Sequence, residues 1–564
     1  MGLIASIPCL VANSEVFVMR KKRVTIILYS FTVLFLILAL RVLFLQLFEA
    51  DSLSRAASAQ RTASSSIEKP RGNIVDRNGI SFTNRTRKYT AVLQPLYFSG
   101  NDDLLETICD ILRLDLDTLK KEIRNKTRPV LVEIDEARKE NLLALDINGV
   151  SVIHSLKRYD SGSIARHIVG YLNKSDEIGQ AGAEKLFEDA LQDNNSSSIE
   201  VITDAGRNLV EGLGYRITKE SADAGLLDVK LTLDYHIQRI VEDVMLKNNV
   251  TGAVVVEEVN TGDIAAIASK PDFNQNSVEE YLHSPGNELF NRAIAAYNLG
   301  SVFKIIDIAA FLENGGTVNN DFFCTGSVKA GNNIFKCSSA NGHGQLDLEA
   351  AFAVSCNSYF ITMGMETGYK ELVTTAGKFG LGQYTGIYGQ GIGEAKGNLP
   401  SADSYYSQGD IANLSIGQGV MMATPLQAAD IAATIANGGI KNRVNIIDSI
   451  IDRDGNKIND LKIKEGRRIV KKETADTIKQ LMEAVTDFGT GTAARLDLYG
   501  GAAGKTGSAE TGNKDVVHAW FAGYFPRKEP RYSIAVLVEN GQYGGRVAAP
   551  IFAEIAEEIM KKGY

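Results

Sequence analysis

The sequence predicts an α+β protein behind a single membrane-spanning segment, and three observations predict it. Strand-like runs open and close the C-terminal region, residues 225–564, with a long, mostly helical stretch between them. One antiparallel sheet drawn from both ends of that region, with helices packed on it, accommodates this order. Ahead of it comes a mixed α/β stretch without obvious chemistry, and ahead of that a long apolar run.

At 564 residues the chain exceeds what one core serves, so several domains are expected. Hydrophobic content of 44% and charged content of 23% describe a globular chain. A net charge of -8 leaves no basic footprint, so nucleic acid is not an expected partner. Six histidines and five cysteines are scattered without the close pairs of a zinc site, so neither metal nor cofactor is expected.

The apolar run reads "VTIILYSFTVLFLILAL" from Val24 to Leu40 and resumes after Arg41 as "VLFLQLF". About 20 apolar residues span a bilayer, so residues 24–48 suffice as an anchor. A cleaved signal peptide would have a shorter apolar core ending in small residues. The basic cluster Arg20 to Arg23 just before it favours the cytoplasmic side. That places residues 1–23 inside and the remainder outside the cell membrane. Residues 1–18 fit this scheme poorly; Met19 is the natural start of such an anchor, which leaves Cys9 outside the working protein.

Residues 49–224 are expected as one non-catalytic pedestal. "KPRGNIVDRNGISFTN", Lys69 to Asn84, alternates short β-type runs with Arg-Gly and Asn-Gly turn signals. Further on, His167 stands alone, which reads as structural rather than catalytic. The second domain, 225–564, opens with a helix whose Ile237, Ile240, Val241, Val244 and Met245 follow an amphipathic stripe. "TGAVVVEEVNTGDIAAIAS" reads as two strands about an Asn-Thr-Gly-Asp turn. "GKTGSAE", "HAWFAGYFP" and "YSIAVLVEN" follow near the C-terminus as three closely spaced strands, expected to pair antiparallel. "APIFAEIAEEIMKKG" closes the chain as a helix.

Three short motifs in this domain carry chemistry. Ser301-Val302-Phe303-Lys304 is the first, although Ser66–Lys69 repeats its pattern. Ser355-Cys356-Asn357 is the second, with Ser-x-Asn also at Ser99–Asn101 and Ser339–Asn341. Lys505-Thr506-Gly507 is the third and occurs once. Singly, each reads as a helix cap, a polar loop or a strand end. A serine hydroxyl becomes a good nucleophile when a base takes its proton. Ser301 and Lys304, three apart on one helix, share a face. A lysine serves as base when neutral, which burial and nearby positive charge encourage. Lys505 is a candidate source of that charge, and the helix N-terminus favours a developing oxyanion.

In this order the three motifs match the set of the penicillin-recognising serine acyltransferases. The flanking "YNLGSVFK", "SIGQGVMMATPLQAADIAATIANGG", "GKTGSAETG", "HAWFAGYFP" and "RGNIVDRNG" resemble segments of class B penicillin-binding proteins, monofunctional peptidoglycan D,D-transpeptidases. The resemblance runs from about residue 20 to the end. It implies a transpeptidase domain of the penicillin-binding-protein/β-lactamase type. It implies Ser301 as nucleophile toward the D-alanyl-D-alanine bond of a stem peptide and Lys304 as base. Ser355 would relay the proton to the leaving D-alanine, and Asn357 would hold the substrate backbone. Lys505 and Thr506 would bind the terminal carboxylate, with Gly507 leaving room. The N–H groups of Ser301 and Ser508 would form the oxyanion hole. An amine from a neighbouring stem would then take the acyl group.

Implied partners are stem peptides, β-lactams, the membrane, a glycosyltransferase and other cell-wall synthesis proteins. Leu299 and Val302 replace the family's usual proline and threonine, and Ser508 its threonine; these bear on β-lactam affinity more than on activity. A β-lactamase and a β-lactam sensor or inert scaffold remain alternatives. The cysteines add one more expectation. A hairpin centred between Ala330 and Gly331 sets Cys324 opposite Cys337, within disulfide range, while Cys356 stays a buried thiol. The alternative is that all are free.

Overall fold

The computed structural model describes residues 10–49, 62–68, 71–98, 102–124, 129–147, 149–192, 197–202, 215–218, 226–318, 321–404, 406–513 and 516–564. Cys9, Lys69 and Ser99–Asn101 lie outside them. The chain divides into two compact units. The smaller takes Met1–Glu68, Tyr89–Ile153 and Ser197–Glu220; the larger takes Lys69–Lys88, His154–Ser196 and Ser221–Tyr564. Residues 49–224, expected as one contiguous pedestal, are therefore shared between the units. A buried ionic network ties the larger unit's two pedestal segments to each other. Arg71 pairs with Glu184 and Glu188, each at 2.7 Å, and Arg158 pairs with Glu184 at 2.7 Å. Asp76 accepts from the backbone of Asn78 and Ile80, closing the Arg-Asn-Gly turn, and from Tyr235 N of the domain's first helix.

An α-helix runs from Leu10 to Phe44 and ends in a π-helical turn, Leu45–Glu49. Its Arg23–Glu49 portion, mean hydropathy 2.5, is long and apolar enough to cross a membrane. Within it the Ser30 and Thr32 hydroxyls donate to Ile26 O and Leu28 O, so their polarity is satisfied inside the helix. Two three-stranded sheets precede the larger unit's central one, the first within the smaller unit and the second with strands that run past its bounds at Tyr89 and Ile153. Thr62–Glu68, Ser197–Ile202 and Tyr215–Thr218 form one; Thr86–Leu93, between Val130–Ile134 and Val150–Lys157, is central in the other. Ser66, the rival serine, lies in the first of these sheets.

In the larger unit five strands make the central sheet: β1 (Gly252–Glu258), β2 (Ile264–Lys270), β3 (Ala503–Glu510), β4 (Val517–Phe525) and β5 (Tyr532–Val538). Their order is β2-β1-β5-β4-β3, antiparallel throughout, so both ends of the domain do build one sheet. Successive side chains alternate between faces. Val254 and Val256 pack with the helices Tyr235–Lys247 and Ala548–Lys561, while Ala253 and Val255 face the opposite core. That second core contains the helices Lys304–Glu313, Pro425–Ala436 and Lys472–Asp487. Asp234 caps the first helix, accepting from His236 N and Ile237 N, and the expected apolar stripe is buried. His167 is structural: its Nε2 lies 2.8 Å from Glu288 O, its ring meets Phe273 edge-on, and burial pushes its pKa down.

β3 is an edge strand and carries Lys505-Thr506-Gly507. An edge leaves one row of backbone donors and acceptors unpaired, which suits an extended peptide. This places the third motif beside open backbone.

Candidate active site

Ser301 does not cap a helix. Gly300–Phe303 forms a 3₁₀ turn that leads into the α-helix Lys304–Glu313, and neither start has a side-chain cap. Gly300 has φ +55°, and a Cβ there would lie 2.7 Å from Ser508 O. The glycine thus lets the serine turn lie directly on β3. Behind it, Gly300 N donates to Gly417 O at 2.9 Å. Gly417 in turn has φ +67°, and a Cβ on it would lie 2.0 Å from Gly300 O. The Gly-Gln-Gly segment is therefore a close backbone support for the nucleophile. Asn298 fastens the same two pieces, donating to Gly419 O and Met421 O at 3.0 and 2.6 Å. In the Thr-Pro-Leu-Gln segment, Thr424 and Gln427 form a reciprocal capping box on Pro425–Ala436. Leu299 and Val302 are fully buried, so their departure from the family pattern is a matter of packing.

Lys304 is fully buried and gathers the second motif around its amine. Its Nζ donates to Ser355 O at 2.9 Å, Ser355 Oγ at 3.2 Å and Asn357 Oδ1 at 2.8 Å. Ser355 has φ +58°, a conformation that costs a residue with a Cβ about 1–2 kcal/mol. Such strain collects where function requires a particular presentation of the backbone. Burial pushes the Lys304 ammonium down to about 8, against the pull of Cys356, Cys337 and Asp307. Lys505, also fully buried, is pushed well below its ordinary value by burial and then by Lys304. Burial is the main cause that lowers both, and the two buried amines disfavour each other's charge. Its Nζ donates to Thr506 O at 3.1 Å and lies 5.3 Å from the centre of the Phe352 ring.

Ser301, Asn357 and Ser508 line one cleft of about 580 Å³, together with Asn413, Gln418 and Gly419. Lys304, Lys505 and Thr506 lie buried. The Ser301 hydroxyl has no hydrogen-bond partner among the described residues; Lys304 instead holds Ser355 and Asn357. Gly507 approaches the serine turn as well, since a Cβ there would lie 2.8 Å from Leu299 O. Of the other Ser-x-Asn matches, Ser339 closes a local turn, donating to Gly342 O at 2.7 Å.

Two contributors carried no sequence signal of their own. Thr490 shares a 2.6 Å hydrogen bond with Thr506 Oγ1, and its backbone N donates to Ala353 O at 2.9 Å. It therefore ties β3 to the segment leading into Ser355. Asp307, one turn beyond Lys304, is fully buried, with no hydrogen-bond partner for either carboxylate oxygen among the described residues. Burial pushes its pKa well above the usual carboxylate range, opposed by Lys304.

The expected disulfide is not formed. Cys109, Cys324, Cys337 and Cys356 are all free. The hairpin pairs Ser327–Ala330 with Asn333–Lys336, so its centre lies between Gly331 and Asn332, one residue later than expected. Cys324 belongs to another ladder, opposite Gly344.

Residues 252–557 match the penicillin binding protein transpeptidase domain, and residues 66–218 the penicillin-binding protein dimerisation domain. The first match covers more than half of the chain, which therefore belongs to the penicillin-binding protein transpeptidase family, with the domain pair of its class B members. Peptidoglycan D,D-transpeptidase MrdA of Acinetobacter baumannii is 27% identical, across 92% of this chain and 85% of its own length. Stage V sporulation protein D of Bacillus subtilis is 28% identical, across 96% and 85%. Among solved structures, a ceftriaxone acyl-enzyme of penicillin-binding protein A from M. tuberculosis is 29% identical at a TM-score of 0.56, across 60% and 81%. PBP2 of Helicobacter pylori, 23% identical at a TM-score of 0.67 across 89% of this chain and 100% of its own, shares the fold.

Proposed function

We propose that the chain is a peptidoglycan D,D-transpeptidase working through a Ser301 acyl-enzyme. One observation carries the reading: the buried Lys304 amine is hydrogen-bonded to Ser355 and Asn357, and Asn357 shares a cleft with Ser301 and Ser508. Ser301 Oγ attacks the carbonyl between the last two D-alanines of a stem peptide, and its proton passes to neutral Lys304. Ser355, already bonded to that amine, relays the proton to the departing D-alanine nitrogen. Asn357 holds the substrate amide, and Lys505 and Thr506 attract the terminal carboxylate. Gly507 leaves room for the substrate strand along β3. The N–H groups of Ser301 and Ser508 receive the oxyanion. An amine of a second stem then displaces Ser301, leaving a cross-link. A β-lactam mimics the D-alanyl-D-alanine end and stops at the acyl-enzyme. Relatives named as transpeptidases favour this reading over a β-lactamase or an inert sensor.

Residues 1–23 serve as the cytoplasmic end, 24–48 as the anchor, 49–224 as the pedestal and 225–564 as the enzyme proper. The basic cluster Arg20 to Arg23 supports an orientation with the catalytic domain outside. Structural neighbours include a peptidoglycan synthase complex and a PBP2–MreC complex, which supports a glycosyltransferase and other cell-wall proteins as partners.

Fluorescent penicillin should attach covalently to Ser301 and be lost in Ser301→Ala. Peptide mapping that finds the label on Ser66, or undiminished label in the variant, would overturn the assignment.

A further inference from the structure

A second cleft in the larger unit shares no lining residue with the Ser301 cleft, and its charge is one-sided. Its volume is about 640 Å³, and five basic side chains line it: Lys378, Lys441, Arg443, Arg467 and Arg468. Glu465 is the one acid on that lining among the described residues. The strands Ile440–Asn442 and Gly466–Arg468 pair antiparallel, with Lys441 opposite Arg467 and Ile440 opposite Arg468. Arg443 follows the first strand, its N donating to Glu465 O at 2.7 Å, and Lys378 ends the helix Tyr369–Lys378. The loop after that helix borders the cleft at Gly380 and Gln383. Gln427 of the capping box holds this loop, its Nε2 donating to Gly380 O at 3.2 Å and Gln383 O at 2.8 Å.

Carboxylates inside the fold do not account for these cations. Lys441 pairs with Asp430, but Lys378, Arg443 and Arg467 have no ion pair among the described residues. Arg468 Nη1 donates to the carbonyls of Gly438 and Val470. The Arg443 guanidinium donates no hydrogen bond among the described residues, although its Nε is buried. A buried donor without an acceptor is costly. Gly386, at φ +144°, makes room for that group, since a Cβ there would lie 2.7 Å from Arg443 Nε. Glu394 accepts instead from Thr385 N and Oγ1, and burial pushes its pKa up. Burial pushes Lys441 down to about 8, and the charge of Arg443 adds to this against the pull of Glu257 and Glu394. The cleft therefore gathers like charges that disfavour one another and leaves a guanidinium fork open. Such a cleft concentrates anions, and the fork matches the paired oxygens of a phosphate or carboxylate.

Tyr384 also lines the cleft and stacks on Tyr388, with ring centroids 4.0 Å apart and planes 8° from parallel. Both rings stay open to water, at 44% and 50% exposure. Flat, exposed aromatic surface of this kind packs against the C–H face of a sugar ring. We propose that the cleft binds an anionic glycan, a sugar chain bearing repeated phosphate or carboxylate groups. Its anions meet Lys378, Arg443 and Arg467, and a sugar ring covers Tyr384. The cations come from three separate segments and the cleft far exceeds one phosphate, so the ligand is a chain rather than a single ion. The protein's net charge of -8 repels polyanions in general, which makes this cleft a local exception. The site is independent of the acyl-transfer reading, because it is read by binding alone.

The test uses the full-length chain in detergent and fluorescently labelled dextran oligomers carrying phosphate groups, carboxymethyl groups or no charge. Anisotropy titrations run at about 0.15 M salt, where long-range attraction is screened. At least one charged oligomer should bind saturably, at one site per chain, while uncharged dextran does not. The tighter of the two identifies the anion. Lys378→Glu/Arg467→Glu changes two exposed side chains and should weaken binding at least about tenfold by replacing two charge-assisted contacts with repulsion. Lys528→Glu/Lys562→Glu, equally exposed and away from the lining, makes the same change in net charge. It should leave the affinity within about twofold. Tyr384→Ser should weaken the charged oligomer several-fold. Failure of both charged oligomers to bind the wild type would overturn the site, as would equal losses in the two double variants. Unchanged affinity in Tyr384→Ser would overturn the assignment of a glycan.

Discussion

Asp307→Asn isolates the cost of burying a carboxyl one turn beyond the catalytic lysine. In the unfolded chain this carboxyl ionises near pH 3.9, the usual value for aspartate, roughly. In the folded chain burial holds it well above that, and neither oxygen has a hydrogen-bond partner among the described residues. Raising the pH therefore draws protons from the unfolded state first, and the folded wild type loses stability relative to a side chain that cannot ionise. Each pH unit above about 4 costs about 1.4 kcal/mol for as long as the folded carboxyl keeps its proton. Asparagine escapes this but buries a further N–H, a pH-independent cost of about 1–3 kcal/mol. The variant should thus gain on the wild type as the pH rises above about 4, overtaking it once the ionisation cost exceeds that of the extra N–H. Its advantage should shrink steadily on acidification. Trp520, the chain's single tryptophan, is fully buried in β4 of the larger unit. Denaturant unfolding followed by its fluorescence therefore reports that unit alone. A wild-type-minus-variant difference that stays flat from about pH 5 to 8 would refute the reasoning. So would a variant that becomes the weaker protein as pH rises, because Asp307 would then be ionised and paired with Lys304.

The acylation rate with fluorescent penicillin should rise as pH passes about 8, since burial has brought the Lys304 ammonium to that value and only the neutral amine accepts the serine proton. Stopped-flow rates that are flat across this range, or a Lys304→Ala enzyme of near-normal rate, would place the base elsewhere. Ser355→Gly should unfold later than Ser355→Ala by about 1 kcal/mol, because glycine tolerates the left-handed conformation that alanine does not. Both variants should acylate equally slowly, having lost the same hydroxyl; equal unfolding midpoints would show that the turn carries no strain.

The sheet was legible because each strand run is bounded by turn residues and lies in a part of the chain too short to hold helices. Asn260-Thr261-Gly262-Asp263 closes β1 onto β2, with Gly262 at φ +74°. The reading of the Cys324–Cys337 segment failed by one residue, for a definite reason. A two-residue hairpin loop with positive φ at its first position favours glycine there. Gly331, at φ +61°, occupies that place, and Ala330 pairs with Asn333. The expected centre had put Ala330 at that first position and Gly331 at the second. The ionic network that joins the pedestal segments around Arg71 and Glu184 was not legible: Arg71, Arg158 and Glu184 lie far apart in sequence, and nothing local marks their pairing.

The site shows the same division between what spacing encodes and what only folding brings together. Ser301 and Lys304 share a helix start, so their proximity is written in three residues of sequence. Lys304 meets Ser355 only because the segment after Leu348–Ala353 turns back through a left-handed residue, which Thr490 then secures to β3. Within that turn, neighbouring residues serve opposite sides. Ser355 and Asn357 reach the Lys304 amine, while Cys356 between them is wholly buried against Cys337. A cysteine between a catalytic serine and asparagine reads in sequence as a filler thiol, because its contact Cys337 lies 19 residues away. Once folded, it joins the Cys337 segment to the acceptors of the base. Whatever fixes Cys356 also fixes the acceptors of Lys304, so the geometry of proton transfer depends on contacts outside the three motifs that announce the chemistry.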